Sequence, residues 1–284
     1  MQNILIPTDF SNDAYNALFY ASRLFKSKTC NFYLLNAYSE RTPLLSRNVD
    51  KSNGYRKGLL EQLNDESCEE LKRTFHRINL DHKCPNHRYK MIPVKMDLTE
   101  AISNAIDEYN IDLVLMGNKG KSSGLGVYLG SSTTKTMASI TKCPIMAVPM
   151  NADFKIPYEM AFATDYRRHY DAQVLKPLKE MATHCGSAIR VVHINEEKRL
   201  THLQESNLKT LRAYLEPIDN SLHWMPNFTS KTKAIQVFLN ELGIEMLVMI
   251  NYEHSFLERL LNEPVIKKLA FDIDIPFMVI PSTT

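Results

Sequence analysis

The chain lacks most of the features that would mark a membrane, exported or nucleic-acid-binding protein. Its 284 residues hold no apolar run near the roughly 20 residues that a membrane span requires. The charge is close to balanced, with 34 Lys and Arg against 32 Asp and Glu. The formal net charge of +2 gives no case for a surface that binds nucleic acid or lipid headgroups. No basic leader or cleavage site precedes the first apolar residues, so the cytoplasm is the expected compartment. The five cysteines (Cys30, Cys68, Cys84, Cys143 and Cys185) are odd in number and show no Cys-x2-Cys spacing, which predicts reduced, structural thiols. Catalytic signatures are missing as well. There is no Gly-x-Ser-x-Gly elbow, no Gly-x4-Gly-Lys-Ser/Thr loop, and no carboxylate pair at a recognisable spacing.

Glycine is scarce, nine in all, and five of the nine fall between residues 117 and 130. Gly117-x2-Gly120-x9-Gly130-Ser131-Ser132 follows directly on the apolar run from Ile111 to Met116. A buried strand therefore runs into a glycine loop, and the next helix starts at Gly130. Glycine lets main-chain N–H groups approach an anion without a Cβ in the way. A helix N-terminus adds unpaired N–H groups and a favourable dipole. The pattern is that of a phosphate cradle, and a nucleotide is the first ligand to consider. The plain alternative is a tight strand-to-helix connection. The spacing, the place after a fourth strand, the Ser-Ser at a helix start and Asp9 at the end of the first strand together favour the nucleotide. Lys119 and Lys121 are candidates to assist with phosphate charge, although loop lysines are usually solvated. Asp9 also suits a cap for the helix after Phe10, and the two roles are compatible.

The chain repeats itself. Ile4-Leu-Ile-Pro-Thr-Asp9-Phe recurs as Met160-Ala-Phe-Ala-Thr-Asp165-Tyr. Leu113 to Met116 recurs as Leu247 to Ile250, and Cys143 to Pro149 as Ile275 to Pro281. With these offsets Gly117 and Gly120 become Asn251 and His254, and Gly130-Ser131-Ser132 becomes Asn262-Glu263-Pro264. A carboxylate at Glu263 and a missing N–H at Pro264 would both oppose a phosphate. The expectation is one working site and one degenerate copy. The second and fourth strands are offset by 157 and 134, so the first half carries 23 more residues between them (157 − 134), assigned to residues 39–88.

Apolar runs alternate with amphipathic stretches in each half, as β-α-β-α-β-α-β-α-β. Strands separated by helices run parallel and are buried on both faces. The fold class is α/β, with two tandem doubly wound five-stranded parallel-sheet domains over residues 1–150 and 151–284. Residues 56–79 read as one long helix with Leu60, Leu63, Leu71, Phe75 and Ile78 inward. Ligands of such sheets bind beyond the strand carboxyl ends, where Asp9, Ala37 and Gly117 fall. His76, His82, Cys84 and His87 are ligand-type residues without a zinc spacing, so no metal site is assigned. His193 and His254 have no partner pattern and read as packing or surface residues.

The start Ile4-Leu-Ile-Pro7-Thr8-Asp9-Phe-Ser11, the segment Asp112 to Gly117 before the glycine motif, and the close Lys142 to Pro149 resemble the universal stress protein family. The resemblance spans essentially the whole chain as a tandem, and the loop motif is that of the family's ATP-binding branch. It implies an adenine nucleotide alpha hydrolase-like sheet of order 3-2-1-4-5 in each half. It also implies fifth strands that pair across a two-fold axis, here within one chain as an intrachain pseudo-dimer. By this resemblance ATP is the cofactor, with Mg or Mn accompanying its phosphates. Asp9 and the backbone of Ala37 would hold the adenosine, with Pro7, Thr8 and Met116 also among the nucleotide-binding residues. Gly117, Gly120, Gly130, Ser131 and Ser132 would hold the phosphates. Ala37 departs from the branched residue common at its position. The implied role is a cytoplasmic stress-response switch or chaperone-like module with an unnamed protein partner, a homodimer being compatible. The alternatives are a slow ATPase, or a structural, partner-binding protein without nucleotide.

Overall fold

A computed structural model describes residues 1–39, 56–118, 130–195, 199–226, 231–252 and 274–282. The chain divides into two compact units, Met1–Asn118 and Lys119–Thr284. The repeat boundary near residue 150 is thus not where these units part, because the last strand of the first repeat lies in the second unit.

The first unit contains β1 (Gln2–Pro7), α1 (Asn12–Leu24), β2 (Cys30–Tyr38), α2 (Arg56–Asp81), β3 (His87–Lys95), α3 (Leu98–Tyr109) and β4 (Leu113–Asn118). Its strands lie in the order β3-β2-β1-β4, all parallel. Ile4, Leu5 and Ile6 of β1 are fully buried. This unbroken apolar run fits a central strand covered on both faces, each side chain contributing about 1.5–3 kcal/mol. Ser11 caps α1 by accepting from the Ala14 N–H. Ala14, Leu18, Ala21 and Phe25 are buried at helical spacing, as the sequence predicts. Asp97 caps α3 in the same way, and Asn110 ends it in the left-handed region. Along α2, Leu63, Leu71 and Ile78 are buried. Phe75, expected inward, is instead 36% exposed and turns its ring edge to Tyr89 at 5.5 Å.

The second unit contains α4 (Ser131–Ser139), β5 (Ile145–Pro149), β6 (Glu159–Ala163), α5 (Ala172–Cys185), β7 (Ala188–Asn195), α6 (His202–Leu215), β8 (Asn220–Pro226), α7 (Lys231–Glu241), β9 (Met246–Asn251) and β10 (Phe277–Pro281). Its strand order is β5-β10-β9-β6-β7-β8. Counted within the second repeat, β8-β7-β6-β9-β10 is the expected 3-2-1-4-5. β5 and β10 meet antiparallel, with Ala147, Met146 and Ile145 opposite Phe277, Met278 and Val279. Pro144 and Pro276 stand just before these two strands, where a missing N–H costs no ladder bond. The final strands of the two repeats therefore pair directly.

Sheet register corrects the alignment of the repeats by one residue. Ile4 pairs with Leu113 in the first repeat, and its counterpart Met160 pairs with Met246 in the second. The offset at the fourth strand is thus 133 (246 − 113), and Gly117 corresponds to Ile250 and Asn118 to Asn251. The assignment of Gly117 to Asn251 and Gly120 to His254 was a one-step slip, because the apolar runs match almost equally well in either frame. Backbone bonds agree with the new register, since Asp112 N–H donates to Asn3 and Glu245 N–H to Glu159. The third strands carry Tyr89 opposite Phe32 and Asn220 opposite Ile189, an offset of 131. The first repeat therefore has 24 more residues between its second and fourth strands (157 − 133), where the slipped frame gives 23, and 26 more between its second and third (157 − 131). Part of the excess is α2, which has 26 residues against 14 in α6.

Candidate functional site

β1 ends at Pro7, and the Thr8 N–H extends the ladder by one bond to the Leu35 carbonyl at 2.8 Å. The chain then turns sharply. Thr8 Oγ1 accepts from the Phe10 N–H at 3.0 Å, and Phe10 takes a left-handed φ of 64°. Asp9 is exposed, and its carboxylate accepts from both the N–H and the hydroxyl of Ser11. Asp9 thus holds the residue that caps α1, which makes it a helix-entry residue whatever else it binds. Beneath the turn, Ser67 of α2 donates to Asn36 Oδ1 at 2.8 Å, and Asn36 Nδ2 donates to the Thr8 carbonyl at 2.7 Å. This buried relay ties α2 and β2 to the end of β1. The sequence signal that could have found it was a polar Asn36 directly after the apolar run Phe32 to Leu35. Ala37 is half-buried near the end of β2, opposite Val94. Met116 is buried in β4.

Gly117 has a structural reason that spacing did not reveal. A Cβ there would lie 2.5 Å from the backbone carbonyl carbon and oxygen of Asp13 and 2.7 Å from the Ala14 nitrogen. Glycine is required at this point because the first turn of α1 crosses β4 at backbone distance. Pro7, Thr8, Asp9, Ala37, Met116 and Gly117 all belong to the strand-end region of the first unit. Gly120, Lys119 and Lys121 lie outside the described residues.

In the second unit, Gly130 is the N-cap of α4, with φ −59° and ψ 152°, and makes no side-chain cap bond. Its carbonyl accepts from Thr134 N–H at 2.9 Å. Ser131 and Ser132 are exposed, and the Ser132 carbonyl accepts from the Thr136 hydroxyl at 2.8 Å. The first-turn N–H groups of a helix have no acceptor within it. With two exposed hydroxyls beside them, the donor set suits an anion.

The second repeat builds the same turn and then closes it. Thr164 Oγ1 accepts from Tyr166 N–H at 3.2 Å, Asp165 from Arg167 N–H at 3.0 Å, and Tyr166 has φ 56°. The Thr-Asp turn is therefore a property of the fold and is not by itself diagnostic of a ligand. Here His193 Nδ1 lies 3.0 Å from the Thr164 carbonyl, in the role of Asn36. Gln204 and Asn207 of α6 donate to the carbonyls of Asp165 and Tyr166, both at 2.9 Å. The fully buried Tyr166 ring stacks on His193 at 4.8 Å and leans on Trp224 at 6.0 Å. Eight residues, Thr164 to Asp171, join β6 to α5, against four, Thr8 to Ser11, between β1 and α1. The extra length folds Tyr170 inward onto the Thr164 hydroxyl. It also lets buried Ile250 stand where the first repeat needs Gly117. The strand-end crevice of this repeat is thus filled by its own side chains. Glu263, Pro264, Asn262 and His254, on which the expectation of a degenerate copy rested, lie outside the described residues.

The histidine and cysteine cluster has structural partners. His82 Nδ1 is 3.2 Å from the Ser22 hydroxyl, His87 Nε2 is 3.1 Å from the Phe25 carbonyl, and the Cys84 thiol points to the Lys26 carbonyl. Burial holds the imidazoles of His82 and His87 below the usual histidine range. Among the described residues no three His, Cys, Asp or Glu side chains come together to hold a metal. Also among them, no helix is long and apolar enough to cross a membrane.

Residues 1–149 match the model of the universal stress protein family. Solved structures of similar fold include a universal stress protein from Archaeoglobus fulgidus. It is 15% identical, covers 98% of both chains and has a TM-score of 0.71. A second is described as a putative universal stress protein from Pseudomonas aeruginosa. It is 13% identical, covers 99% of this chain and 93% of that one, and has a TM-score of 0.58. At these identities the likeness is one of fold. Among curated proteins none matches this chain.

Proposed function

The chain belongs to the universal stress protein family, and on that footing we propose that its first repeat binds an adenine nucleotide, ATP, as a nucleotide-responsive stress module. The observation that carries the reading is the motif Gly117-x2-Gly120-x9-Gly130-Ser131-Ser132, whose last three residues open α4 without a side-chain cap. Main-chain N–H groups and two hydroxyls at a helix start are complementary to phosphate oxygens. Asp9, which presents an exposed carboxylate, is the proposed partner of the ribose or adenine. Pro7, Thr8, the main chain of Ala37, and Met116 are proposed to border the nucleoside, and Gly117 and Gly120 the phosphates. A Mg or Mn ion would accompany the phosphates, with the Ser131 hydroxyl its protein ligand. A bound nucleotide supplies a polyanion whose presence or hydrolysis can change the order of the residues around it.

Binding is favoured over turnover. Hydrolysis needs an aligned water and groups that stabilise developing charge. N–H groups and hydroxyls hold the ground-state anion as firmly as the transition state, and such uniform binding does not raise the rate. No arginine lies between Gly117 and Ser132. The domain boundary near residue 150, a cytoplasmic setting and a protein partner belong to the same proposal. Mass spectrometry of the natively purified chain tests it directly. A stoichiometric adenine nucleotide is expected. A nucleotide-free chain that also gives no heat on titration with ATP would sink the reading.

A further inference from the structure

β2 runs on past the end of β1, and what happens at that point concerns the main chain of Ala37. In a parallel ladder, alternate residues of a strand bond the same neighbour. Pro7 is level with Leu35, and the Leu35 carbonyl accepts from the Thr8 N–H at 2.8 Å. A ladder continued in this register would give Ala37 the next two bonds, from its N–H to the Thr8 carbonyl and from the Phe10 N–H to its C=O. Side chains take both places. Asn36 Nδ2 donates to the Thr8 carbonyl at 2.7 Å, and Thr8 Oγ1 accepts from the Phe10 N–H at 3.0 Å. The Ala37 N–H and C=O, an adjacent donor and acceptor, thus face past the end of β1 with their ladder partners already engaged.

α2 holds this arrangement from one side. The Ser67 hydroxyl donates to Asn36 Oδ1 at 2.8 Å, which turns the amide so that its nitrogen meets Thr8. One helical turn earlier, Asn64 Oδ1 accepts from the Tyr38 hydroxyl at 2.9 Å. Both strand neighbours of Ala37 are therefore tied to one helix, and Asn36, Tyr38 and Ser67 are all buried. In the second repeat His193 Nδ1 and Thr164 Oγ1 stand at the equivalent places, 3.0 Å from the Thr164 carbonyl and 3.2 Å from the Tyr166 nitrogen. There the counterpart of Ala37 is Ile194, which is buried, and the Tyr166 ring fills the crevice. Ala37 is half-buried. Adenine carries a ring-nitrogen acceptor beside an amino donor, and guanine carries the reverse pair on the same edge. A fixed N–H and C=O therefore tell the two bases apart.

We propose that Asn36, oriented by Ser67, is the positioning residue that gives the nucleotide site its preference for adenine, by engaging the Thr8 carbonyl and so keeping the Ala37 N–H and C=O for the base. The inference rests on the nucleotide reading of the first repeat and deepens it. Equilibrium dialysis of the full chain with radiolabelled ATP, displaced by unlabelled ATP or GTP, tests it. The wild type is expected to prefer ATP. In Asn36→Ala the Ala37 N–H can close onto the Thr8 carbonyl, and the preference for ATP over GTP should fall about tenfold, the size of one lost hydrogen bond. Ser67→Ala keeps the amide but not its orientation and should move the preference in the same direction; it carries the test if Asn36→Ala does not fold. An unchanged preference overturns the proposal. So does a loss of affinity for both nucleotides by the same factor, which is what a purely structural Asn36 would give. A wild type that binds ATP and GTP alike overturns it while the nucleotide reading stands. A wild type that binds neither fails the nucleotide reading itself, and this inference with it.

Discussion

Gly117→Ala should destabilise the first unit by a steric route that can be worked from distances. The new Cβ would stand 2.5 Å from the Asp13 carbonyl carbon and oxygen and 2.7 Å from the Ala14 nitrogen. Ordinary contact between such atoms begins near 3.4 Å, so α1 or β4 must give by about 0.9 Å (3.4 − 2.5). No rotamer change can help, because all three atoms are backbone. α1 cannot retreat freely either, since Ala14, Ala17, Leu18 and Ala21 are packed in the core. Overpacking of this kind costs about 1–3 kcal/mol, and a clash with backbone belongs at the upper end. At about 2–4 °C per kcal/mol for a domain of this size, a loss near 3 kcal/mol lowers Tm by roughly 6–12 °C. Gly186→Ala is the control. It has φ 68° and no atom within 4 Å of the added Cβ, so only backbone strain of about 1–2 kcal/mol applies. Differential scanning calorimetry of both variants decides the matter. A Gly117→Ala chain that melts within about 1 °C of wild type, or no lower than Gly186→Ala, would refute the close-approach account of this glycine.

Gly130→Asp should abolish ATP binding in a calorimetric titration, because it adds a Cβ and a negative charge where the α4 N-terminus favours an anion; unchanged affinity would show the phosphate site to be elsewhere. ATP stoichiometry should be one per chain, since Tyr166, Tyr170 and His193 occupy the equivalent region of the second repeat; a measured value of two would contradict the filled crevice. Phosphate release with Mg or Mn should stay below about 1 per second, under the range of ordinary enzymes; faster turnover that is lost in Ser131→Ala would overturn the binding-module reading. Stability should fall on acidification. His82 and His87 are held below the ordinary value of 6.5 in the folded chain, chiefly by burial. The unfolded chain therefore takes up these protons first, and the contribution present above pH 6.5 is lost as pH drops through the lower folded values. Urea midpoints at pH 7 and pH 5 should differ, and the difference should shrink in His87→Gln; an unchanged difference would place the acid sensitivity in other groups.

The alternation of apolar runs and amphipathic helices determined the α/β class, the parallel strands and the repeat, because period and burial are local properties of the chain. Ser11 as a cap, and Pro144 and Pro276 just ahead of strands, were legible for the same reason: each acts on its own backbone. The start of α4 at Gly130 was likewise legible, since a helix N-terminus is set by adjacent residues. Only the tertiary structure decided matters that depend on residues far apart in sequence. The frame of the fourth strand came from Ile4 against Leu113 and Met160 against Met246; the apolar pattern tolerates a slip that hydrogen bonds do not. The need for Gly117 came from the backbone of α1, about a hundred residues earlier. The closure of the second repeat came from four extra residues before α5 and two amide side chains on α6 that reach the carbonyls of Asp165 and Tyr166. A side chain's partner across a sheet depends on register and helix position together, and neither is fixed until the whole chain has packed.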